Sequence, residues 1–354
     1  MKDKIKSLIK GIIFVVVFLF CLINVQNVLA DKDSGKDYQK MYGFFEERKN
    51  SLDAVFLGAS STYAFWNPAV AWKEKGIAVY SLTNSSQPTE IAHYLIDDAR
   101  KKQPDALYII NITRWLEEDE YSNVRIHRFL GSYPASLNKY KALTYMCNLS
   151  DKPLSDRMEL YFSIIQFHER WDELTLMDFG GVEDTYKSAS AYDSYLKKKR
   201  KQEPAVVDYL AYEGLTDSMR TALNDIMNYC DRENVKVLFV IMPQALEDSP
   251  RVNRPNTVTR VLEENGFTVL DLRKKVEEMG LDYKKHFYDE KHTNIHGSII
   301  VTDYISDYLI ENYGFTDKRG TPGYGDWDKE CTDYYNLIAE YLTPEEKAAM
   351  SFQQ

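Results

Sequence analysis

Ala54-Val55-Phe56-Leu57-Gly58-Ala59-Ser60-Ser61-Thr62 opens as an unbroken apolar run of strand length and closes in small residues. A continuous apolar run bounded by small residues fits a strand buried on both faces. The residues after it read as a turn entering a helix, which leaves a serine hydroxyl at the carboxyl edge of a sheet. Four further runs, at 77–82, 106–112, 235–242 and 268–272, repeat the strand pattern. Helical patterns lie between and after them, at about 67–75, 88–102, 216–234, 256–265 and 296–313. Strands alternating with helices imply right-handed crossovers and a mostly parallel sheet, with reactive groups collecting at the carboxyl ends of the strands.

A second segment follows the last of these strands after a short connection: Tyr288-Asp289-Glu290-Lys291-His292-Thr293-Asn294. Asp289 precedes His292 by three, a spacing at which one helical turn sets both on one face. With Ser60 they supply a nucleophile, its base and the acid that orients the base. A serine at this kind of turn is also what helix capping selects. The order of the two segments along the chain is what favours chemistry. Ser61 is the alternative register for the nucleophile, with Ser60 preferred because Gly58 precedes it by two. The Ser61 N–H, at the start of the following helix, is a candidate donor to an oxyanion. His292 and His296 stand four apart, so a metal-dependent hydrolase at Asp289, His292 and His296 is an alternative, although Thr293-Asn294-Ile295 lacks the glutamate of H-E-x-x-H. His296 reads as a cap of the final helix, and His93, His127, His168 and His286 are scattered singly. No cofactor and no metal are expected.

The chain has 354 residues and a net charge of −10. Lys2, Lys4, Lys6 and Lys10 stand against only Asp3 in its first thirty residues, so the remaining body is more acidic still, at about −13. Such a surface repels phosphates, which excludes nucleic acid as an expected partner. Those lysines precede an apolar run from Gly11 to Ile23, and Val28-Leu29-Ala30 ahead of Asp31 has the small residues of a cleavage site. Counted from Leu8 to Leu29 the run is long enough to span a bilayer. As anchor or as signal peptide, it places Asp31 onward outside, because the lysines stay inside. Cys147, Cys230 and Cys331, the cysteines outside this run, include no C-x-x-C pair and are expected as isolated buried thiols.

The core pattern breaks over 115–215, which is rich in Tyr, Trp, Phe and charge and carries a basic run at 197–201. It reads as a mostly helical insertion above the carboxyl edge, able to serve as a lid or one wall of a substrate groove. The expected organisation is a leader at 1–30, core at 31–114 and 216–313 around this insertion, and a tail at 314–354 with a short surface helix at 344–350.

Taken together, the blocks resemble the SGNH/GDSL hydrolase superfamily over the strand-helix core, about 220 residues. More loosely, the chain is similar to membrane-anchored envelope members of the teichoic-acid D-alanyl transfer group. Gly58-Ala59-Ser60 matches the family's G-D-S with Ala in place of Asp, and Asp289-x-x-His292 with Asn294 and Gly297 matches its last block. The second glycine of a G-x-S-x-G elbow is absent. The resemblance implies a flavodoxin-like three-layer α/β/α sandwich with a five-stranded sheet, and a Ser60 nucleophile deprotonated by an Asp289-oriented His292. In place of the family's oxyanion glycine stands Thr83 or Asn84, and the nearest counterpart of its oxyanion asparagine is Asn111. The implied activity is an exported serine esterase or O-acyltransferase. From location alone, its substrate is an acyl ester of a cell-envelope glycan. A non-catalytic glycan-binding or scaffolding member of the same fold is the alternative, supported by the missing Asp and Gly.

Overall fold

The computed structural model describes residues 2–30, 36–85, 87–116, 122–180, 185–190, 202–204, 207–245 and 252–349. Strands β1 (Ala54–Gly58), β2 (Val79–Thr83), β3 (Leu107–Asn111), β4 (Val237–Ile241) and β5 (Val269–Asp271) form one all-parallel sheet in the order β2-β1-β3-β4-β5. The first connection runs from β1 outward to β2 and the next returns past β1 to β3. The chain therefore reverses direction beside β1, and its carboxyl end opens at the point where α/β sheets bind ligands. The strands match the apolar runs of the sequence to within a residue or two at their ends.

The helices are α1 (Lys2–Leu29), α2 (Lys36–Glu46), α3 (Ser60–Phe65), α4 (Pro68–Lys75), α5 (Ala92–Arg100), α6 (Asn123–Ser132), α7 (Leu137–Leu149), α8 (Leu154–Tyr161), α9 (Ile164–Phe167), α10 (Asp217–Arg232), α11 (Arg254–Glu264), α12 (Ile295–Tyr313), α13 (Gly325–Ile338) and α14 (Pro344–Ala349), with short turns between them. They cover both faces of the sheet. Val55, Leu57, Tyr108, Ile110, Phe239 and Ile241 pack with Leu95 and Ile96 of α5, Leu223 and Ile226 of α10 and Leu262 of α11. Ala54, Phe56, Ile109, Leu238 and Val240 pack with Ala64 and Phe65 of α3 and Val301, Ile305 and Leu309 of α12. Alternate residues of each strand thus feed two apolar layers, which makes the protein a flavodoxin-like α/β/α sandwich with helical insertions.

Four features depart from the sequence reading. The first is α2, which had no counterpart in the expected pattern. It buries Asp37, Tyr38, Met41 and Phe44, and Asp37 Oδ2 accepts from Ser85 N at 2.8 Å in the loop after β2. The second is the tail. Beyond the expected surface helix, α13 buries Trp327, Cys331, Tyr334 and Ile338 and sets Trp327 on Trp72 of α4, ring centroids 5.3 Å apart.

The insertion is the third departure: its described helices pack along the flank, α6 on α2 and α7 on α5. Buried Ile126, Phe129, Leu143 and Met146 give these helices apolar faces that match the sides of the core helices better than the polar strand ends. The basic run 197–201 and the residue after the expected cleavage site, Asp31, lie outside the described residues. The fourth is the segment 185–190, which returns to the free edge of β2, where Ser188 Oγ accepts from Ser81 N at 2.7 Å and so satisfies an edge-strand donor. Tyr186, Lys187 and Ser188 all have positive φ, and the buried Lys187 ammonium is held by Glu47 (2.8 Å), Asp326 (2.5 Å) and Glu330 (3.3 Å). All four cysteines are free, with Cys147, Cys230 and Cys331 buried. α1 is long and apolar enough to cross a membrane or to serve as a signal sequence.

A pH effect on stability arises between α4 and α12. Burial, then the nearby Asp303, pushes the Glu74 carboxyl up to about 7, while Lys75 pairs with Asp303 and Asp307. A raised carboxyl pKa means that the folded state holds the proton more tightly, so stability falls as pH rises through about 4.5 to 7. Glu74→Gln is expected to flatten that decline: its Tm gain over the parent should be larger at pH 8 than at pH 5, as read by thermal denaturation at both pH values.

Candidate active site

β1 delivers the chain to its carboxyl edge, and Gly58 turns it. Gly58 has φ +152°, and a Cβ there would collide with Thr62 Oγ1 and lie 2.9 Å from Asn111 Cβ. Only glycine permits this close approach. The turn raises Ser60 as the first residue of α3, half-buried, while Ser61 and Thr62 point inward and are buried. Asn111, at the end of β3, donates from Nδ2 to Ser61 Oγ (3.1 Å) and Thr62 Oγ1 (3.0 Å). Its Oδ1 accepts from Thr113 N (2.9 Å) and Thr113 Oγ1 (2.5 Å), and Thr113 Oγ1 accepts in turn from Met242 N after β4 (2.8 Å). The carboxyl ends of β1, β3 and β4 are therefore laced together by buried hydrogen bonds.

The opposing loop is built as firmly. Residues 287–293 are closed by an antiparallel bridge between Phe287 and Thr293, and Tyr288 N donates to His292 O at 2.8 Å. Gly297 allows α12 to approach this loop, since a Cβ there would meet His286 O. Asn294, rather than His296, caps α12, its Oδ1 accepting from Gly297 N at 3.1 Å. The helical turn expected to align Asp289 and His292 is instead this bent loop. Asp289 Oδ1 accepts from Lys291 N (2.8 Å) and His292 N (2.9 Å), a local turn that an aspartate forms with its own backbone.

Three contacts join the two halves. Thr293 Oγ1 donates to Ala64 O, Thr302 Oγ1 accepts from Asn67 N at 2.8 Å, and Phe65 meets Phe287 edge to face with centroids 5.7 Å apart. As a result, His292 Nε2 lies 2.8 Å from Ser60 Oγ, and His292 Nδ1 lies 2.9 Å from both carboxylate oxygens of Asp289. Burial raises the Asp289 carboxyl, but the hydrogen bond and charge of His292 and the two backbone N–H donors outweigh it and hold the carboxyl below its ordinary range. The lowered carboxyl favours the ionised form of Asp289 beside the imidazole.

Compared with known proteins, the chain matches no family model and no curated protein sequence.

The remaining candidates fall into place around this chain of hydrogen bonds. Ser61 is buried with its hydroxyl on Asn111, so of the two serines it is Ser60 that faces His292. Asn111 has both ends of its amide engaged and acts here by holding the turn. Thr83 pairs with Gly58 across the β1–β2 register, and both Thr83 and Asn84 are fully buried, with Asn84 O accepting from Gln87 N at 3.2 Å. Gln87, in the amide orientation that satisfies both of its ends, donates to Leu82 O (3.2 Å) and accepts from Gly58 N (3.0 Å). His296 turns away to Glu346 of α14, Nδ1 to Oε1 2.8 Å. Among the described residues, no three His, Cys, Asp or Glu side chains are grouped to hold a metal ion.

Sequence reasoning missed Thr62, Gln87, Thr113 and Thr293, which position the reactive groups. Gln87 and Thr113 each sit within a few residues of a strand end, which is the signal that could have found them. Thr62 sits as close to the end of β1 as Gln87 does to the end of β2, and nothing local marks Thr293.

Proposed function

We propose that the protein is a membrane-anchored serine esterase or O-acyltransferase of the SGNH kind, working through an acyl-serine on Ser60. The observation that carries this reading is the unbroken chain Ser60 Oγ, His292 Nε2, His292 Nδ1, Asp289 carboxylate, with spacings of 2.8 and 2.9 Å. With Asp289 ionised, the imidazole keeps its proton on Nδ1 and presents a lone pair on Nε2 to the hydroxyl. Ser60 Oγ attacks the acyl carbonyl carbon while its proton passes to Nε2. The tetrahedral oxyanion draws on backbone N–H groups at the turn, of which that of Ser61 is the foremost candidate and those of Thr83 and Asn84 the others. Collapse expels the alcohol, which takes the proton from Nε2 and leaves the acyl group on Ser60. Water makes the protein an esterase, and a second hydroxyl makes it a transferase, by the same steps in reverse. An outward-facing domain tied to the membrane favours acyl esters of envelope glycans as substrates.

A fluorophosphonate probe tests the reading directly, since it reacts only with an activated serine hydroxyl. Stoichiometric labelling, mapped to Ser60 by peptide mass, is the expected result. A chain that stays unlabelled under conditions that label a control serine hydrolase is instead a binding member of the fold.

A further inference from the structure

α1 is gripped by the domain that follows it. From Ile5 to Phe20 its large apolar side chains are exposed, whereas Gln26, Leu29 and Ala30 are buried. The grip comes from the insertion, through α9 and the turns His168–Asp172 and Leu176–Phe179. Arg170 Nη1 donates to Leu29 O (2.8 Å) and Ala30 O (2.5 Å), and its Nη2 pairs with Asp178 (3.3 Å). Lys139 of α7 donates from Nζ to Asn27 Oδ1 at 3.3 Å. The last carbonyls of a helix lack donors of their own, and here the Arg170 guanidinium of the insertion supplies donors to those of Leu29 and Ala30.

The position of this grip follows from the length of a membrane span. Lys10 is the last charge of the amino-terminal cluster, and crossing the hydrocarbon from there takes about 20 residues, which ends the span near Ala30. Whatever clamps Gln26 to Ala30 therefore sits at the outer boundary of the bilayer. The clamping elements themselves carry exposed apolar side chains: Ile165, Trp171 (71% exposed), Leu176 (84%) and Phe179. Tryptophan and other apolar side chains beside the end of a span are what a membrane interface accepts.

We propose that the insertion is a membrane collar. It clamps the last turn of α1 and lays Trp171, Leu176 and Phe179 into the outer headgroup region of the bilayer that α1 crosses. Exposed Glu169, Asp172 and Glu173 on the same turns hold it at headgroup depth. The clamp also protects the junction after Ala30. A leader peptidase needs its site extended and accessible, but Ala30 N still donates to Gln26 O at 2.9 Å, and Leu29 and Ala30 are buried under Arg170. The segment is therefore a permanent anchor.

The collar does not depend on the serine chemistry, and tryptophan fluorescence tests it. Trp66, Trp72, Trp115 and Trp327 are buried, so Trp171 is the exposed tryptophan of the five. In the full-length chain reconstituted into phosphatidylcholine vesicles, lipid brominated near the headgroup is expected to quench a component of the emission that Trp171→Phe removes. Ser60→Ala should leave that quenching unchanged, which separates failure of the collar from failure of the enzyme reading. Trp171 emission quenched by aqueous iodide and untouched by brominated lipid would overturn the collar. Intact mass of the membrane-bound chain is expected to include residues 1–30, and a predominant species beginning at Asp31 would overturn the clamp.

Discussion

Ser60→Ala is expected to lower turnover of an activated acetate ester by about four to six orders of magnitude, because removal of a nucleophile leaves only binding and oxyanion contributions. Ser60 is half-buried at the protein surface and makes one described side-chain hydrogen bond, to His292. Losing it costs about 1 kcal/mol at most, or a few degrees in Tm. The combination of abolished activity and nearly unchanged melting is the signature sought. A variant that kept a tenth of parental turnover would remove Ser60 from the mechanism. Asp289→Asn separates orientation from nucleophilicity. It retains an acceptor for Nδ1 but loses the charge that favours imidazolium, so turnover should fall by about four orders of magnitude while fluorophosphonate labelling slows rather than disappears.

The largest stability effect is expected far from Ser60, at Lys187. Its ammonium is buried against the equally buried Glu47, which also accepts from Trp327 Nε1 at 3.1 Å. Burial raises the Glu47 carboxyl, and Lys187 is the main influence pulling it back. Lys187→Met strands that carboxylate in the interior, a change that costs about 3–5 kcal/mol. The sign with pH follows from the same pair. Without the ammonium Glu47 rises further, so the loss is full at pH 7.5 and shrinks as pH falls and Glu47 takes up a proton. Denaturant unfolding at pH 7.5 and pH 5 reads both values. Adding Glu47→Gln to Lys187→Met should recover most of the stability, because a neutral amide still accepts from Trp327 and no buried charge is left alone. Equal losses in the single and double variants would show that Lys187 acts through its strained backbone position and not through the ion cluster.

The parallel sheet was legible because strands buried on both faces must be continuous apolar runs, and few other elements produce such runs at regular spacing with helices between. The residues of the hydrogen-bonded chain at Ser60 were legible for a related reason: reactive groups in this architecture follow strand ends. The positioning residues were not. Asn111 was the nearest counterpart of the family's oxyanion asparagine, while its partners Ser61, Thr62 and Thr113 are set by neighbouring strands whose order no local pattern encodes. The spacing of Asp289 and His292 suits a helical turn and an aspartate loop equally, and the backbone donors of Lys291 and His292 on Asp289 Oδ1 belong to the loop. α13 did carry a signal, since Trp327, Cys331, Tyr334 and Ile338 fall at helical intervals. Surrounding tyrosines and acids gave the segment the look of surface.

The stitching of Thr293 to Ala64 and of Thr302 to Asn67 has a consequence for biogenesis. Ser60 leaves the ribosome 232 positions ahead of His292, an interval on the order of ten to fifty seconds at ordinary rates of synthesis. Throughout that time the hydroxyl has no base beside it, and Phe287, Thr293 and Thr302, which carry the docking contacts, emerge only at its end or after it. On the serine reading, the newborn chain is chemically silent until the His292 loop has been made, and no separate inhibitor is needed to keep it from acylating itself before then.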